Sequence, residues 1–316
     1  MKTMELKGQT TSGIWVMDKP VGPTSHDVVS FVRSRSRIQR VGHTGTLDPL
    51  GSGVLVLAVG KATRLIEYLQ DDKEYEAEVL LGVTTDTYDA AGKVVTEKPV
   101  PPFTLAEIEA ACARFRGAIQ QVPPMVSAKR FQGQRLYDLA RKGVEVERKP
   151  IDVTISKLQV LGWESPVVKL LVVCSTGTYV RSLAFDLGEV LGCGGHLKLL
   201  KRTRVGSFPI AQALSPEAWE AAWRANKASD HLIPMEKAVA YLPAIPVTYE
   251  NAKVSLSGRP LMVSDEECPS LAGMDYFNPT FASLLLPDGS LFAVTKPRRK
   301  IRGWILKPEK IFRSEW

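Results

Sequence analysis

The chain has 316 residues, of which 44% are hydrophobic and 24% charged, a mixture typical of a folded globular protein of about two domains. No apolar stretch approaches the roughly 18 residues that a membrane-spanning helix needs, so the composition argues against an integral helical membrane protein. The formal net charge of +7 favours a polyanionic partner such as a nucleic acid, because each neutralised phosphate releases a counterion.

The first quarter of the chain predicts two strand–helix pairs separated by a glycine-rich loop. Residues 20–25, PVGPTS, break the first strand, and Thr24 or Ser25 can cap the helix that follows. Hydrophobic spacing then predicts the elements in this order: strand 13–19, helix about 26–37, loop 42–53, buried strand 54–60 and helix 61–69.

The middle of the chain contains its clearest strand and its clearest helix. Residues 73–82 alternate strictly, which predicts a half-buried strand with Tyr75 on the core face. A turn at 89–92 follows. Residues 104–117 predict a helix that starts with a capping box between Thr104 and Glu107 and ends at Gly117.

Residues 120–150 are polar, basic and rich in turns, which indicates an excursion from the core with a short helix around 136–142. Strands resume at 152–163 and 167–175, and a helix follows residues 177–179. Because strands and helices interleave irregularly, the predicted fold class is α+β with a mixed sheet. A change of composition near residue 244 predicts a first domain over 1–244 and a small β-rich second domain over 245–316.

Basic residues gather in three short runs, at 33–40, 198–204 and 296–302. They can be solvated helix faces or loops, or they can form a shared surface for an anionic partner. Three runs without matching acids favour the second interpretation.

Common cofactor and metal motifs are missing from the sequence. There is no GxGxxG fingerprint, AVGKAT at 58–63 departs from a phosphate loop, and the four histidines are scattered. The four cysteines stand far apart without a CxxC pair, and residues 1–13 lack the apolar core of a secretory signal. We therefore expect an intracellular protein that uses no cofactor and no metal.

The most unusual segment is the loop GHTGTLDPLGSG at 42–53, with one carboxylate, Asp48, among glycines and hydroxyls. Asp48 before Pro49 can simply stabilise a turn. It can also be catalytic if an arginine keeps it ionised, and Arg181, held in turn by Asp89, is the candidate. Spacing alone favours the turn.

Successive blocks of the chain resemble one family, the bacterial TruB-type tRNA pseudouridine synthases, which modify uridine 55 in the TΨC loop. The resemblance is carried by five blocks spread over about residues 13–208: GIWVMDKPVGPTSHDVV, GHTGTLDPLGSGVLVLAVGKATR, KEYEAEVLLGVTTDTYDAAG, VPPMVSAKRFQGQRLYDLARKG and STGTYVRSLAFDLGEVLGCGGHLKLLKRTRVGSF. It implies a pseudouridine synthase catalytic domain with a thumb insertion at about 120–150 and a C-terminal β-barrel domain of the PUA type.

The resemblance also implies roles for individual residues. Asp48 is expected to act on the target nucleotide, Tyr75 to stack on the flipped uracil, and Arg181 to pair with Asp48 while Asp89 pairs with Arg181. It further implies that Tyr179 and Leu200 line the pocket of the uracil, that Lys19 and Pro20 support this pocket, and that His43 occupies space beside the vacated base stack. The basic runs at 33–40 and 198–204, the second of which includes Lys201 and Arg202, are expected to hold phosphates. Asp48 can attack the sugar, attack the uracil, or remove a sugar proton to give a glycal, and the sequence does not choose among these routes.

The implied partner is the TΨC stem-loop of tRNA, bound by a cytoplasmic monomer that needs no protein partner and no membrane. Two alternatives remain. A guide-RNA-dependent synthase shares the aspartate loop, but typically lacks the thumb and has HSGTLDP where this chain has HTGTLDP at 43–49. A non-catalytic RNA-binding or RNA-folding protein on the same scaffold is the other, and the joint presence of Asp48, Tyr75 and Arg181 argues against it.

Overall fold

A computed structural model describes residues 11–126, 130–131, 134–135, 146–271, 281–301 and 303–315. Within these ranges, no helix is long and apolar enough to cross a membrane. Up to residue 209 the described chain forms thirteen strands: β1 Gly13–Lys19, β2 Val41–His43, β3 Gly51–Val59, β4 Lys73–Leu81, β5 Val83–Thr85, β6 Val94–Glu97, β7 Gly117–Gln121, β8 Arg130–Phe131, β9 Gln134–Arg135, β10 Ile151–Glu164, β11 Val167–Cys174, β12 Gly195–Val205 and β13 Phe208–Pro209.

The main sheet has the order β1-β3-β12-β4-β11-β10-β7, with β2 added to β3 and β13 added to β12. Its neighbours are antiparallel except for β12 and β3, which run parallel through the pairs Leu200–Gly51, Lys201–Ser52 and Arg202–Gly53. This mixed sheet confirms the predicted α+β class. Its topology brings the end of the glycine-rich loop beside the basic run at 198–204.

Six α-helices are described. They are α1 Ser25–Ser36, α2 Leu105–Ala113, α3 Val180–Val190, α4 Pro216–Arg224, α5 Met235–Ala238 and α6 Tyr249–Leu256. The first and the third agree closely with the predicted helices. Thr24 caps α1 and Thr104 caps α2, each in a capping box, with Asp27 and with Glu107 respectively.

Two predicted helices need correction, and the fold gives one basic run its place. The helix predicted over 61–69 is a 3₁₀ helix, Gly60–Tyr68. The helix predicted to end at Gly117 ends at Ala113, and Gly117, with φ +85°, starts β7 instead. The basic run 198–204 lies within the sheet strand β12 rather than in a helix or a loop.

The chain leaves the main sheet after Gln121 and rejoins it at Ile151, opposite Gln121 itself. Between these points, β8 and β9 form a two-stranded hairpin. The helix predicted at about 136–142 lies outside the described residues.

From Ala244 onward the described chain forms two small sheets that share no strand with the main one. The strands are β14 Ala244–Pro246, β15 Leu261–Val263, β16 Ala282–Leu285, β17 Leu291–Thr295, β18 Arg298–Arg299, β19 Trp304–Leu306 and β20 Pro308–Ile311. Their orders are β14-β16-β17-β20 and β15-β19-β18. Leu291, Val294 and Phe312 pack into a core cluster with Ile14 and Val56 of the main sheet, so apolar contact joins the two parts.

Candidate active site

The loop between β2 and β3 is held in place by hydrogen bonds from two sides. Ser25, at the start of α1, accepts a hydrogen bond from Leu47 N (2.8 Å) and donates one to Leu47 O (3.0 Å). Within the loop, Gly51 N donates to Asp48 O at 2.9 Å, which closes the turn around Pro49. The loop therefore presents Asp48 from a fixed backbone, as a catalytic group requires.

Arg202 holds the same loop from inside the sheet. Arg202 is 1% exposed, and its guanidinium donates hydrogen bonds to the carbonyls of Val54 (2.7 Å), Gly45 (3.2 Å) and Thr46 (3.3 Å). A buried cation satisfied by three carbonyls is not placed to bind phosphate at a surface. This burial corrects the expectation that Arg202 contacts the RNA backbone, and makes Arg202 a support of the Asp48 loop.

Asp48 forms an ion pair with Arg181 across the cleft. Arg181 Nε lies 2.8 Å from Asp48 Oδ2 and 3.7 Å from Asp89 Oδ2. The Arg181 side chain is only 6% exposed, and its two Nη atoms donate to the carbonyls of Thr87 (3.3 Å) and Val126 (2.8 Å). The arginine is thus fixed on all sides, while the Asp48 side chain remains 37% exposed and open to a ligand.

Asp89 is buried and is itself held by its neighbours. Its Oδ1 accepts hydrogen bonds from Thr87 Oγ1 (2.6 Å) and Ala91 N (3.1 Å), so Oδ2 is free to face Arg181. The chain of contacts from Asp89 through Arg181 to Asp48 therefore has the arrangement that the sequence analysis expected.

Asp48 and Tyr75 open onto one cleft with a volume of about 230 Å³. Tyr75 is buried on the core face of β4, and burial raises the pKa of its phenol above the usual value. The cleft is lined by residues 45–48 of the loop, Lys73 and Tyr75 of β4, residues 176–181, and Leu200 with Arg202 of β12. Tyr179 and Leu200 are thus placed in the cleft, as the resemblance implied.

The other predicted site residues are not among those that line this cleft. The Lys19 ammonium is fully buried and donates to the carbonyls of Pro20 and Pro23, both at 2.8 Å, and burial lowers its pKa to about 8. Pro20 itself is exposed, and Lys201 is half-buried on β12. His43 is half-buried, and burial lowers its pKa.

Sequence reasoning missed several cleft residues, of which Lys73 is the most notable. It precedes Tyr75 by two positions, and the alternation of a strand puts such residues on the same face. Lys73 is buried and donates to Thr176 Oγ1 at 2.5 Å. The strict alternation of residues 73–82 was therefore a signal that could have identified it.

Comparison with known proteins gives a consistent result. Residues 33–180 match the family model "TruB family pseudouridylate synthase (N terminal domain)", and residues 181–240 match "tRNA pseudouridylate synthase B C-terminal domain". The tRNA pseudouridine synthase B of Moorella thermoacetica is 43% identical over 93% of this chain and 97% of its own length. The protein of the same name from Symbiobacterium thermophilum is 50% identical over 78% of this chain and 82% of its own.

Solved structures agree with this fold. A chain in the crystal structure of a Cbf5-Nop10-Gar1 complex has a TM-score of 0.72 at 27% identity, covering 95% of this chain and 85% of that one. A chain in the structure of an H/ACA RNP bound to a substrate RNA containing 2′-deoxyuridine has a TM-score of 0.71 at 25% identity, covering 96% of this chain and 85% of that one.

Proposed function

The chain belongs to the TruB family of pseudouridylate synthases, which makes it an isomerase, and we propose that it converts uridine 55 in the TΨC loop of tRNA to pseudouridine. The observation that carries this proposal is the ion pair between Asp48 and Arg181 at the mouth of a cleft that also contains Tyr75. Two curated relatives named tRNA pseudouridine synthase B support tRNA as the substrate.

The target base must leave its stack to reach this cleft. Unstacking costs a few kcal/mol, and stacking of a base on an aromatic side chain returns roughly 1–3 kcal/mol. Tyr75 lies in the cleft beside Asp48 and offers that aromatic face. Tyr179, just before α3, and Leu200, on β12, line the walls around the same base.

Isomerisation requires no external electrons. The bond between C1′ of the ribose and N1 of the uracil breaks, the base turns, and C1′ bonds to C5, while the C5 proton is lost and N1 gains one. Asp48 takes part by bonding to the sugar or the uracil, or by removing the 2′ proton. Each role requires a correctly aimed carboxylate, and the ion pair with Arg181 aims it.

We extend the proposal to the organisation of the molecule. Residues 1–244 form the catalytic domain, with the segment at 120–150 closing over the RNA as a thumb, and residues 245–316 form a PUA-like domain that binds RNA away from the cleft. Lys201 and the run at 33–40 hold phosphates, His43 occupies space beside the vacated base stack, and Lys19 and Pro20 support the pocket. The protein acts as a cytoplasmic monomer without a protein partner.

A tritium-release assay tests the function. The purified protein is mixed with a TΨC stem-loop that carries 5-tritiated uridine, with and without added guide RNA, and we expect release without a guide. The Asp48→Asn variant should release no tritium above background, whereas Asp152→Asn, an exposed aspartate on β10, should behave as wild type. Release that depends on guide RNA would favour the guide-dependent alternative, and release unchanged by Asp48→Asn would refute the assigned role.

A further inference from the structure

Three cationic side chains line the cleft among the residues that the structure describes, and two of them are already engaged. Arg181 is paired with Asp48, and Arg202 donates to three backbone carbonyls. The third, Lys73, has a neutral hydroxyl, Thr176 Oγ1, at 2.5 Å, while Asp71 Oδ2 is 4.0 Å away on a half-exposed side chain. The charge of Lys73 is therefore largely unneutralised inside the cleft.

The position of Lys73 is fixed by the fold. It is the first residue of β4, a strand flanked by β11 and β12, and its backbone is paired with Cys174 on one side and Val205 on the other. A Cβ placed on Gly45 would lie 3.6 Å from Lys73 Cε, so the side chain passes beneath the aspartate loop. The Lys73 side chain is 7% exposed.

Keeping a poorly neutralised ammonium in a buried position costs free energy. Burial lowers the pKa of Lys73, and the nearby Arg202 acts in the same direction, while Asp71 opposes them. Such an unfavourable arrangement is commonly kept where the charge is used on a ligand. The ligand expected here is one that becomes negatively charged within the cleft.

We propose that Lys73 stabilises the negative charge that develops on the uracil during isomerisation, an inference that rests on the proposed function. When the C1′–N1 bond breaks, both electrons stay with N1 and spread to O2 and O4, while C1′ bonds to Asp48 or becomes part of a glycal as Asp48 takes the 2′ proton. If Asp48 instead adds to the uracil ring, the electron pair moves to the carbonyl oxygen as an enolate. When C5 bonds to C1′, Asp48 leaves C1′ in the first route or returns the 2′ proton in the second; in the third, C1′ moves from N1 to C5 and Asp48 then leaves the ring. C5 finally loses its proton and N1 gains one. The ring carries negative charge during every route, so a fixed cation favours the transition state over the bound uridine.

The test compares two leaving groups under single-turnover conditions. Stem-loops containing uridine or 5-fluorouridine are incubated with excess enzyme, and the loss of the N-linked nucleoside is followed by nuclease digestion and chromatography. Fluorine stabilises the uracil anion by itself, so a variant without the cation should lose less rate on that substrate. We expect Lys73→Met to slow the uridine reaction about 100-fold, the scale found when one transition-state hydrogen-bond donor is removed from an active site. The same variant should slow the 5-fluorouridine reaction by a factor at least five times smaller, about 20-fold or less.

Three matched variants separate chemistry from folding. Lys169→Met removes an exposed lysine from β11 and should leave both rates unchanged. Thr176→Val removes the hydroxyl partner of Lys73 but leaves the charge, so it should cost less than about fivefold, while Lys73→Arg should retain more rate than Lys73→Met. Binding of the stem-loop, measured by filter retention, should change less than threefold in every variant. If Lys73→Met does not fold, Lys73→Gln takes its place, because its amide can still donate to Thr176.

Several results would overturn the proposal. These are a Lys73→Met rate within threefold of wild type, an equal loss on both substrates, or a Thr176→Val loss as large as that of Lys73→Met, which would give Lys73 a structural role only. An inactive wild-type enzyme would instead refute the proposed function itself, so the two failures are distinguishable.

Discussion

The replacement Arg181→Lys tests whether the geometry of the guanidinium, and not only its charge, organises the site. Arg181 uses Nε for Asp48 and its two Nη atoms for the carbonyls of Thr87 and Val126. A lysine presents all its donors from one nitrogen, so it cannot occupy these separate positions. Arg181→Met removes the charge as well and serves as the matched variant.

The expected loss of stability follows from these contacts. Two carbonyls without donors cost about 1 kcal/mol each, so Arg181→Lys should lower the free energy of unfolding by about 2 kcal/mol. Arg181→Met also leaves Asp89, 9% exposed, as an uncompensated buried anion, which raises the expected loss to about 3–5 kcal/mol. Asp48 adds little, because its side chain is 37% exposed and solvent screens its charge.

Activity should fall more steeply than stability. A displaced arginine no longer aims the Asp48 carboxylate, and a misplacement of about 1 Å costs on the order of 100-fold in rate. Single-turnover tritium release and urea unfolding followed by circular dichroism measure the two effects. If Arg181→Lys keeps more than about a third of the wild-type rate, or if both variants destabilise the protein equally, the argument from guanidinium geometry is wrong.

Three further predictions address the loop, the buried lysine and the stacking residue. Gly53→Ala should unfold the protein or lower its free energy of unfolding by more than about 4 kcal/mol, because φ is +101° and a Cβ would lie 2.2 Å from the Arg202 carbonyl oxygen. The control Gly117→Ala, where φ is +85° but the space is open, should lower the free energy of unfolding by only about 1 kcal/mol, as measured by urea titration. The folded protein holds the pKa of Lys19 near 8, below its unfolded value. Wild type should therefore gain stability relative to Lys19→Met as pH rises above 8, with a slope of at most about 1.4 kcal/mol per pH unit. A stability difference between the two proteins that does not change with pH up to about 9.5 would contradict this. Tyr75→Leu should keep stem-loop binding within a few fold while losing most turnover, and equal loss of both would assign Tyr75 to docking or folding.

Local rules explain the elements that the sequence predicted well. The capping box of Thr104 and Glu107 forms, because it depends on residues three positions apart. The strict alternation of residues 73–82 places Tyr75 on the core face of β4, because neighbouring side chains of a strand point to opposite faces. Where a competing local signal existed, the prediction was wrong: Gly117 resembles a helix terminus, yet its positive φ serves the entry into β7.

The sequence by itself determined the family, the aspartate loop and some of the residues around it, among them Tyr75, Tyr179 and Arg181, since these are properties of residue order. Tertiary structure decided which of them meet. The basic run at 198–204 predicts that Arg202 is a surface cation, but the parallel pairing of β12 with β3 buries Arg202 beneath the loop. A buried charge is tolerated only with partners, and the carbonyls of Gly45, Thr46 and Val54 are partners that no local pattern reveals. For Lys73, alternation shows only that it shares a face of β4 with Tyr75. That face becomes part of a cleft only when β4, the loop and residues 176–181 meet in the folded molecule.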